Sequence, residues 1–189
     1  MQLLRLLTVV AVIAAACPAR ATDDILDAIE QARKAYQAGD LGGTKQQLDL
    51  ASQLIAQKNA EAFIALLPEP LPGWRAEKPQ SQAVGTAIFG GASTASRGYR
   101  NASGETIEVS ITGDSAMLAA IVPLLNNPIM AGAVGKVVKV GTQHAILNQT
   151  GDLTMVINNK FVVTVHGTAG DADKLAYANA VDVAKLSKM

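Results

Sequence analysis

The clearest pattern of apolar and polar positions runs from Val137 to Gly167. Four short runs rich in β-branched residues, VVKV, HAILN, LTMVI and FVVTVHG, follow one another with turn residues between them. This spacing predicts a meander of antiparallel strands. Asn158 and Asn159 separate the last two runs, and asparagine tolerates the positive φ angles of a tight hairpin turn. The meander is therefore the predicted folding centre.

A two-residue asparagine turn predicts how the last hairpin pairs. Val156 would face Phe161, and on the other side of the sheet Met155 would face Val162. Both faces are then mostly apolar, whereas a sheet with one face in water alternates apolar with polar residues. We expect this hairpin to be central and covered by helices on both sides.

Two antiparallel helices are predicted upstream, joined by a glycine-rich turn from Gly39 to Gly43. Asp23 and Asp24 open the first, because acidic residues favour a helix N-terminus. The apolar positions at helical spacing are Ile25, Ile29, Ala32 and Tyr36 in the first helix and Leu48, Ala51, Ile55, Ala62 and Leu66 in the second. The string ARKAYQAGDLGGTKQQLDLA resembles part of one tetratricopeptide repeat, but a solenoid needs about three.

This helical hairpin has two interpretations. The favoured one is that it packs on its own domain through the stripe at helical spacing. The alternative is a docking or dimerisation hairpin, which a second row at Leu50 and Leu54 indicates.

The following segments set the domain boundaries. LPEPLPGW has three prolines between Pro68 and Pro72, which end the helix and favour an extended linker. Trp74 is expected to pack this linker onto the domain. Further on, ETIEVSIT alternates cleanly and predicts a half-exposed strand nearer the sheet edge, and a last helix opens at Asp171 and Asp173.

The predicted fold class is α+β, with an N-terminal helical hairpin followed by a mainly antiparallel meander sheet packed with two helices. Its units are a signal peptide (1–21), the helical hairpin (22–67), the proline-rich linker (68–73) and an α+β domain (74–189).

An unusually apolar helix is predicted after Asp114 and Ser115, within MLAAIVPLLNNPIMAGAVG, and Pro123 should bend or break it. One interpretation is a helix buried against the sheet. The other is an apolar surface for a protein partner, a lipid or a hydrophobic ligand. The candidate residues of that surface are Met117, Leu118, Ile121, Leu124, Leu125, Ile129 and Met130.

The N-terminus has the layout of a cleavable secretory signal. Arg5 precedes an apolar run of about 11 residues, too short to span a bilayer, and Ala19-Arg20-Ala21 is a small-x-small cleavage site. The sequence therefore predicts cleavage after Ala21 and a periplasmic or secreted protein. A lipoprotein anchored through Cys17 is the disfavoured alternative, since Pro18 and Arg20 are unusual after a lipidated cysteine.

Charge and cysteine content exclude several classes of function. Of 16 basic residues, Arg5 and Arg20 leave with the signal, so 14 basic and 16 acidic residues remain and the formal charge is −2. This balance gives no electrostatic footprint for nucleic acid, but peripheral membrane contact stays open. With Cys17 removed, neither disulfides nor thiol chemistry is available.

Candidate catalytic residues are few, and no metal or cofactor motif is present. His144 and His166 each stand alone on a predicted strand. Gly91-Ala92-Ser93-Thr94-Ala95 comes near a nucleophile elbow but lacks its last glycine. The sequence therefore favours a non-enzymatic binding or accessory protein. The alternative is a hydrolase-type enzyme whose site assembles in three dimensions around His144 or His166.

The Gly-Asp corner of the helical hairpin, LPEPLPGW, SRGYRNASGETIEVSI and NNKFVVTVHG together resemble an uncharacterised family of exported bacterial proteins. The resemblance covers nearly the whole mature chain, and its motifs are structural, so it implies export and no particular activity. The order of elements is also similar to small α+β ligand-binding or accessory modules, an analogy of fold alone.

Overall fold

In a computed structural model, the structure describes residues 23–84, 92–113 and 132–189, together with Leu118, Val122, Pro123 and Asn127. Within these residues two helices precede a mainly antiparallel eight-stranded sheet, and further helices follow it. The helices are α1 (Asp24–Gln37), α2 (Leu41–Ile64), α3 (Asp171–Ala180) and α4 (Val183–Leu186). The strands are β1 (Trp74–Ala76), β2 (Gln80–Val84), β3 (Ala92–Asn101), β4 (Thr106–Gly113), β5 (Gly135–Val140), β6 (Gln143–Asn148), β7 (Leu153–Ile157) and β8 (Phe161–His166). The predicted α+β fold is confirmed.

The strands follow the order β1-β3-β4-β8-β7-β6-β5, and β2 pairs with the other half of β3. The predicted central position of the β7–β8 hairpin is confirmed. The prediction that β4 lies nearer the edge is wrong, because β3 and β8 flank it. Alternation of apolar and polar residues shows only that one face of a strand is polar. An interior strand has the same pattern when one face of its sheet is exposed to solvent.

The register of the β7–β8 hairpin differs from the prediction by one residue. Asn158 and Asn159 do have positive φ angles, of 51° and 55°. However, Ile157 pairs with Phe161, and the Lys160 amide donates a 3.0 Å hydrogen bond to the Ile157 carbonyl, so the loop has three residues. A one-residue shift changes the facing pairs. One face is now wholly apolar, and the other combines threonine with valine pairs.

The core lies on the wholly apolar face. Its fully buried strand residues include Val109, Ile111, Leu153, Met155 and Val163. The helices supply Phe63 from α2, Tyr177 and Ala178 from α3, and Leu186 from α4 to the same cluster. Among the described elements, the helices thus cover this one face, although Val162 and Ile146 on the other face are also buried.

The proline-rich linker is tied to this core by two tyrosines. The Tyr99 hydroxyl donates a 2.6 Å hydrogen bond to the Pro68 carbonyl, and the Leu71 amide donates one of 3.2 Å to the Tyr177 hydroxyl. Trp74 meets Tyr177 edge to face, with ring centroids 5.5 Å apart. Trp74 therefore packs the linker onto the domain, as predicted.

The two N-terminal helices form the predicted antiparallel hairpin. Asp23 caps α1 by accepting a hydrogen bond from the Ile25 amide, and Asp40 caps α2 by accepting one from the Gly43 amide. At the far end of α2, Phe63 packs edge to face on Phe161, with centroids 5.7 Å apart. The favoured interpretation, packing on its own domain, therefore holds for the C-terminal end of α2.

Candidate functional site

The apolar segment predicted as an interaction surface falls largely outside the described residues. Leu118 is buried, Val122 is half-buried and Pro123 is exposed. Leu118 lines a hollow of about 330 Å³ together with Phe63 and Phe161. It therefore lies among core aromatic residues rather than on an open surface. The candidates Met117, Ile121, Leu124, Leu125, Ile129 and Met130 lie outside the residues that the structure describes.

The two histidines are separate and exposed. His166, at the end of β8, has its Nε2 atom 4.0 Å from Glu108 Oε2, and both side chains are about half exposed. His144 is exposed on β6, where Lys139 is its cross-strand neighbour. Within the residues that the structure describes, neither position brings a histidine and a carboxylate together with a serine hydroxyl, the arrangement that a hydrolase-type site requires.

Ser93 lies in the regular part of β3 and is fully buried. A nucleophile elbow places its serine on a sharp turn between a strand and a helix, whereas Ser93 pairs directly with Ala83 and Gly113 in neighbouring strands. Its hydroxyl has no hydrogen-bond partner among the described residues. Over the same part of the chain, no group of three histidine, cysteine, aspartate or glutamate residues could hold a metal ion.

One buried charge has a structural partner. Lys174 of α3 is buried, and its ammonium group donates a 2.8 Å hydrogen bond to the Gly151 carbonyl in the β6–β7 turn. In that turn, hydrogen bonding by the Thr150 hydroxyl and, to a lesser extent, the positive charge of Lys174 lower the pKa of Asp152. Lys174 thus holds the turn against α3.

The most exposed apolar surface belongs to the helical hairpin. Of the ten large apolar side chains that are exposed in the described part of the chain, seven lie on α1 and α2. Six of them form what we call the apolar face, with exposed fractions of 43% to 68%: Leu26, Ile29 and Tyr36 on α1, and Leu41, Leu48 and Ile55 on α2.

These six side chains share one side of the hairpin. Residues seven apart lie on the same side of a helix, as Ile29 and Tyr36 do on α1 and Leu41, Leu48 and Ile55 do on α2. The opposite side holds a shallow hollow lined by Asp24, Asp27, Ala28, Gln31, Gln47, Leu50 and Leu54. At 100° per residue, both rows of the apolar face point away from that hollow. The Leu50 and Leu54 row thus lies on the other side.

The seam between the helices explains why these large side chains stay outside. The buried residues at the seam are Ala28 and Ala32 of α1 and Ala51 of α2. Alanine allows the two helices to approach closely, and this narrow seam leaves no room for larger neighbours. The sequence prediction that Ile29, Tyr36, Leu48 and Ile55 face the protein's own core is therefore wrong, because they flank the seam instead.

Charges on α1 are separated along its length. The residues from Asp23 to Glu30 include four acidic and no basic side chains, and Arg33 and Lys34 follow. Arg33 donates hydrogen bonds of 2.9 and 2.6 Å to Glu30, and this bonding lowers the pKa of Glu30. On α2, Lys45 pairs with Asp49 at 2.6 Å. The base of the hairpin is thus acidic, and its tip carries the basic residues of α1.

Sequence reasoning missed the apolar face because it scored every regularly spaced apolar residue as core. The signal that could have identified it is the division of each helix into an alanine row and a row of larger residues. A close helix seam needs only the alanine row, so the row of larger apolar residues is available to bind a partner.

Comparisons with protein-family models, curated proteins and solved structures gave no match. Among the described residues, no helix combines the length and apolar character needed to cross a membrane.

Proposed function

We propose that this is an exported, non-enzymatic accessory protein that binds a protein partner through the apolar face of its helical hairpin. The observation that supports this proposal is the concentration of exposed large apolar side chains on α1 and α2. Isolated apolar residues are normal on protein surfaces, whereas a contiguous group marks an interaction site. The signal-like segment of residues 1–21 supports the exported location.

The rest of the fold can serve as a rigid support that holds this surface in place. The end of α2 is held by Phe63 in the core, and the linker that follows is fixed by the hydroxyls of Tyr99 and Tyr177. These contacts fix the base of the hairpin. A partner therefore meets a preformed pair of helices and has little conformational entropy to overcome on binding.

Protein is a better partner than a lipid surface for this face. Residues 23–67 carry four basic and seven acidic side chains, so anionic head groups would be repelled. Rows of apolar residues at heptad spacing are the pattern that another helix fits.

Site-specific photo-crosslinking in intact producing cells tests the proposal. Ser52 lies on the same side of α2 as Leu48 and Ile55, so a photoreactive residue there should form a discrete adduct. Gln53, about 100° further round the helix, is the matched control position. We expect the Ser52 adduct to disappear in a Leu48→Glu background and no equal adduct at Gln53. Absence of a Ser52 adduct, or its survival in the Leu48→Glu background, would contradict the proposal.

The non-enzymatic part has its own test. The chain from residue 22 is incubated with a panel of hydrolase and redox substrates, and no turnover is expected. Turnover that is abolished by His144→Ala, His166→Ala or Ser93→Ala would establish the enzyme alternative instead.

A further inference from the structure

We propose that two arginines at one edge of the sheet bind the phosphate monoester group of a ligand. Arg75 of β1 and Arg100 of β3 are direct cross-strand partners, and we call them the arginine pair. No residue of the apolar face takes part in this site. The site is therefore an addition to the function proposed above and does not depend on it.

The arginine pair places two positive charges side by side. Residues directly opposite each other in an antiparallel pair lie on the same face of the sheet, with Cβ atoms about 4.5–5.5 Å apart. Both arginine side chains are exposed, and the next residue in the same cross-strand row, Thr106 of β4, is neutral. Like charges in directly opposite positions destabilise a sheet. An anion bound between them would remove this repulsion.

The protein itself neutralises the arginine pair only in part. The Arg100 Nη2 atom lies 3.9 Å from Glu77 Oε1, which is too far for a hydrogen bond. The Arg100 Nη1 atom donates a long hydrogen bond, of 3.4 Å, to the Gly104 carbonyl. Among the described residues, Arg75 forms no ion pair at all. Most of the hydrogen-bonding capacity of the two guanidinium groups is therefore unused.

Arg97, the third arginine of this region, has the contacts of a structural residue. Its side chain is only 20% exposed and lies 3.6 Å from a carboxylate oxygen of Glu69. It also donates hydrogen bonds of 3.2 and 3.5 Å to the carbonyls of Glu77 and Pro68. Arg97 thus stabilises the fold, whereas the arginine pair has no comparable set of contacts.

A hollow of about 750 Å³ lies beside the arginine pair, and its lining includes both arginines, Trp74 and Glu77. Sites for small molecules have volumes of about 300–1,000 Å³, so this one has room for a phosphate group and the part of a molecule attached to it. Trp74 is held against Tyr177 in the core. The backbone of β1 is therefore fixed before a ligand arrives, which favours binding.

A phosphate monoester fits two guanidinium groups better than a carboxylate does. Guanidinium is a planar fork that binds two oxygen atoms through parallel hydrogen bonds. A single fork engages both oxygens of a carboxylate, whereas a phosphate monoester has three terminal oxygens and can bridge two forks. Its charge of about −1.5 to −2 at pH 7 also matches the two positive charges.

NMR titration of the chain from residue 22 with glycerol 1-phosphate, in a phosphate-free buffer of constant ionic strength, tests the site. We expect saturable shifts of the side-chain Nε–H signals of Arg75 and Arg100, with a dissociation constant of roughly 0.1–5 mM. Acetate should bind at least about tenfold more weakly. No saturable shift up to about 20 mM glycerol 1-phosphate, or acetate binding of equal strength, would overturn the proposal.

Substitutions separate recognition by the guanidinium fork from attraction to charge. Arg75→Gln and Arg100→Gln should each weaken glycerol 1-phosphate binding at least about tenfold. Arg75→Lys should weaken it about three- to tenfold, because lysine keeps the charge and lacks the fork. Glu77→Gln should tighten it, because the carboxylate nearest to Arg100 no longer competes.

The matched control is Lys139→Gln, which removes the same charge from an exposed position on β5, the strand at the opposite edge of the sheet. It should bind glycerol 1-phosphate like the wild type, and thermal melting checks that every variant is folded. Equal weakening by Lys139→Gln and Arg75→Gln, or wild-type binding by Arg75→Lys, would overturn the proposal.

Vesicles distinguish a lipid from a soluble source of the phosphate monoester. Cosedimentation with phosphatidic acid vesicles that is lost in Arg75→Gln supports a lipid ligand, and no cosedimentation despite glycerol 1-phosphate binding supports a soluble one. Equal cosedimentation with phosphatidylglycerol vesicles of matched surface charge would show attraction to charge alone and would overturn the proposal. The Ser52 crosslinking result is independent of all these measurements, so the phosphate site and the proposed function can fail separately.

Discussion

At the scale of single residues, the hydroxyls of Tyr99 in β3 and Tyr177 in α3 hold the linker that follows the hairpin. Both rings are fully buried, and they contact each other at a centroid distance of 4.4 Å with their planes tilted by 40°. Their hydrogen bonds go to backbone atoms of the linker, at Pro68 and Leu71. The sequence suggested Trp74 for this role, yet neither tyrosine could be placed from a local pattern, because the contacts span 31 and 106 residues.

We predict that Tyr99→Phe lowers the free energy of unfolding by about 1–2 kcal/mol and Tyr177→Phe by about 1 kcal/mol. Each change keeps the ring and removes one hydrogen bond in a buried or partly buried site. Urea unfolding of the chain from residue 22 gives the measurement. Tyr36→Phe is the control, because the Tyr36 ring is exposed. Equal stability of all three variants would show that the linker is not held by these hydroxyls.

Stability should fall at alkaline pH through the same residues. Burial raises the pKa of Tyr99 well above its ordinary value of 10.0, and burial also raises the pKa of Tyr177. Above pH 10 the unfolded chain therefore loses tyrosine protons that the folded chain retains, so the free energy of unfolding decreases as pH rises. The slope contributed by Tyr99 is at most about 1.4 kcal/mol per pH unit. Urea unfolding between pH 9 and 11 should show this decline, and it should be shallower in Tyr99→Phe.

At the scale of elements, the β7–β8 turn shows how far local sequence signals reach. The positive φ angles of Asn158 and Asn159 follow from residue type and were predictable. The pairing was not, because Lys160 could belong to either the turn or the strand. The difference is settled by packing, since the observed register groups Leu153, Met155 and Ile157 on the core face.

Substitutions at Asn159 test the turn conformation. Its φ of 55° lies in the left-handed region, where a residue with a Cβ atom and no compensating side-chain bond is disfavoured. We predict that Asn159→Ala lowers the free energy of unfolding, measured by thermal melting, by about 1 kcal/mol, while Asn159→Gly leaves it unchanged or raises it slightly. Asn159 is the suitable position because the Asn158 side chain also donates a hydrogen bond to the Ser187 carbonyl. An alanine variant as stable as the glycine variant would contradict the assigned turn.

The helices illustrate a different limit. Helix existence, caps and the turn at Gly39 could all be predicted, because they depend on neighbouring residues. Which side faces inward could not, since hydrophobic spacing gives large residues more weight than alanine. Packing geometry favours alanine at a close helix seam, so the large residues of the apolar face remain available for a partner.

At the scale of the whole molecule, the question is where an independently folding unit begins. The linker composition predicts a boundary at 68–73, with residues 74–189 folding alone. In the structure, however, Phe63, Leu66 and Leu67, which precede the linker, belong to the core cluster with Tyr177 and Leu186. Packing therefore places the boundary of the folding unit inside α2. The proline content of the linker could not reveal this, because these core contacts join residues that are far apart in the sequence.

Two fragments separate these boundaries. Residues 57–189 keep the last turns of α2, whereas residues 74–189 lose Phe63, Leu66 and Leu67. Each large buried side chain contributes about 1.5–3 kcal/mol, so their loss removes roughly 5–9 kcal/mol from a domain whose total stability is typically about 5–15 kcal/mol. We predict a cooperative thermal transition for 57–189 and a greatly weakened or absent one for 74–189. A transition of 74–189 close to that of 57–189 would instead establish the linker boundary and show that the contacts of Phe63, Leu66 and Leu67 only dock the hairpin onto a finished domain.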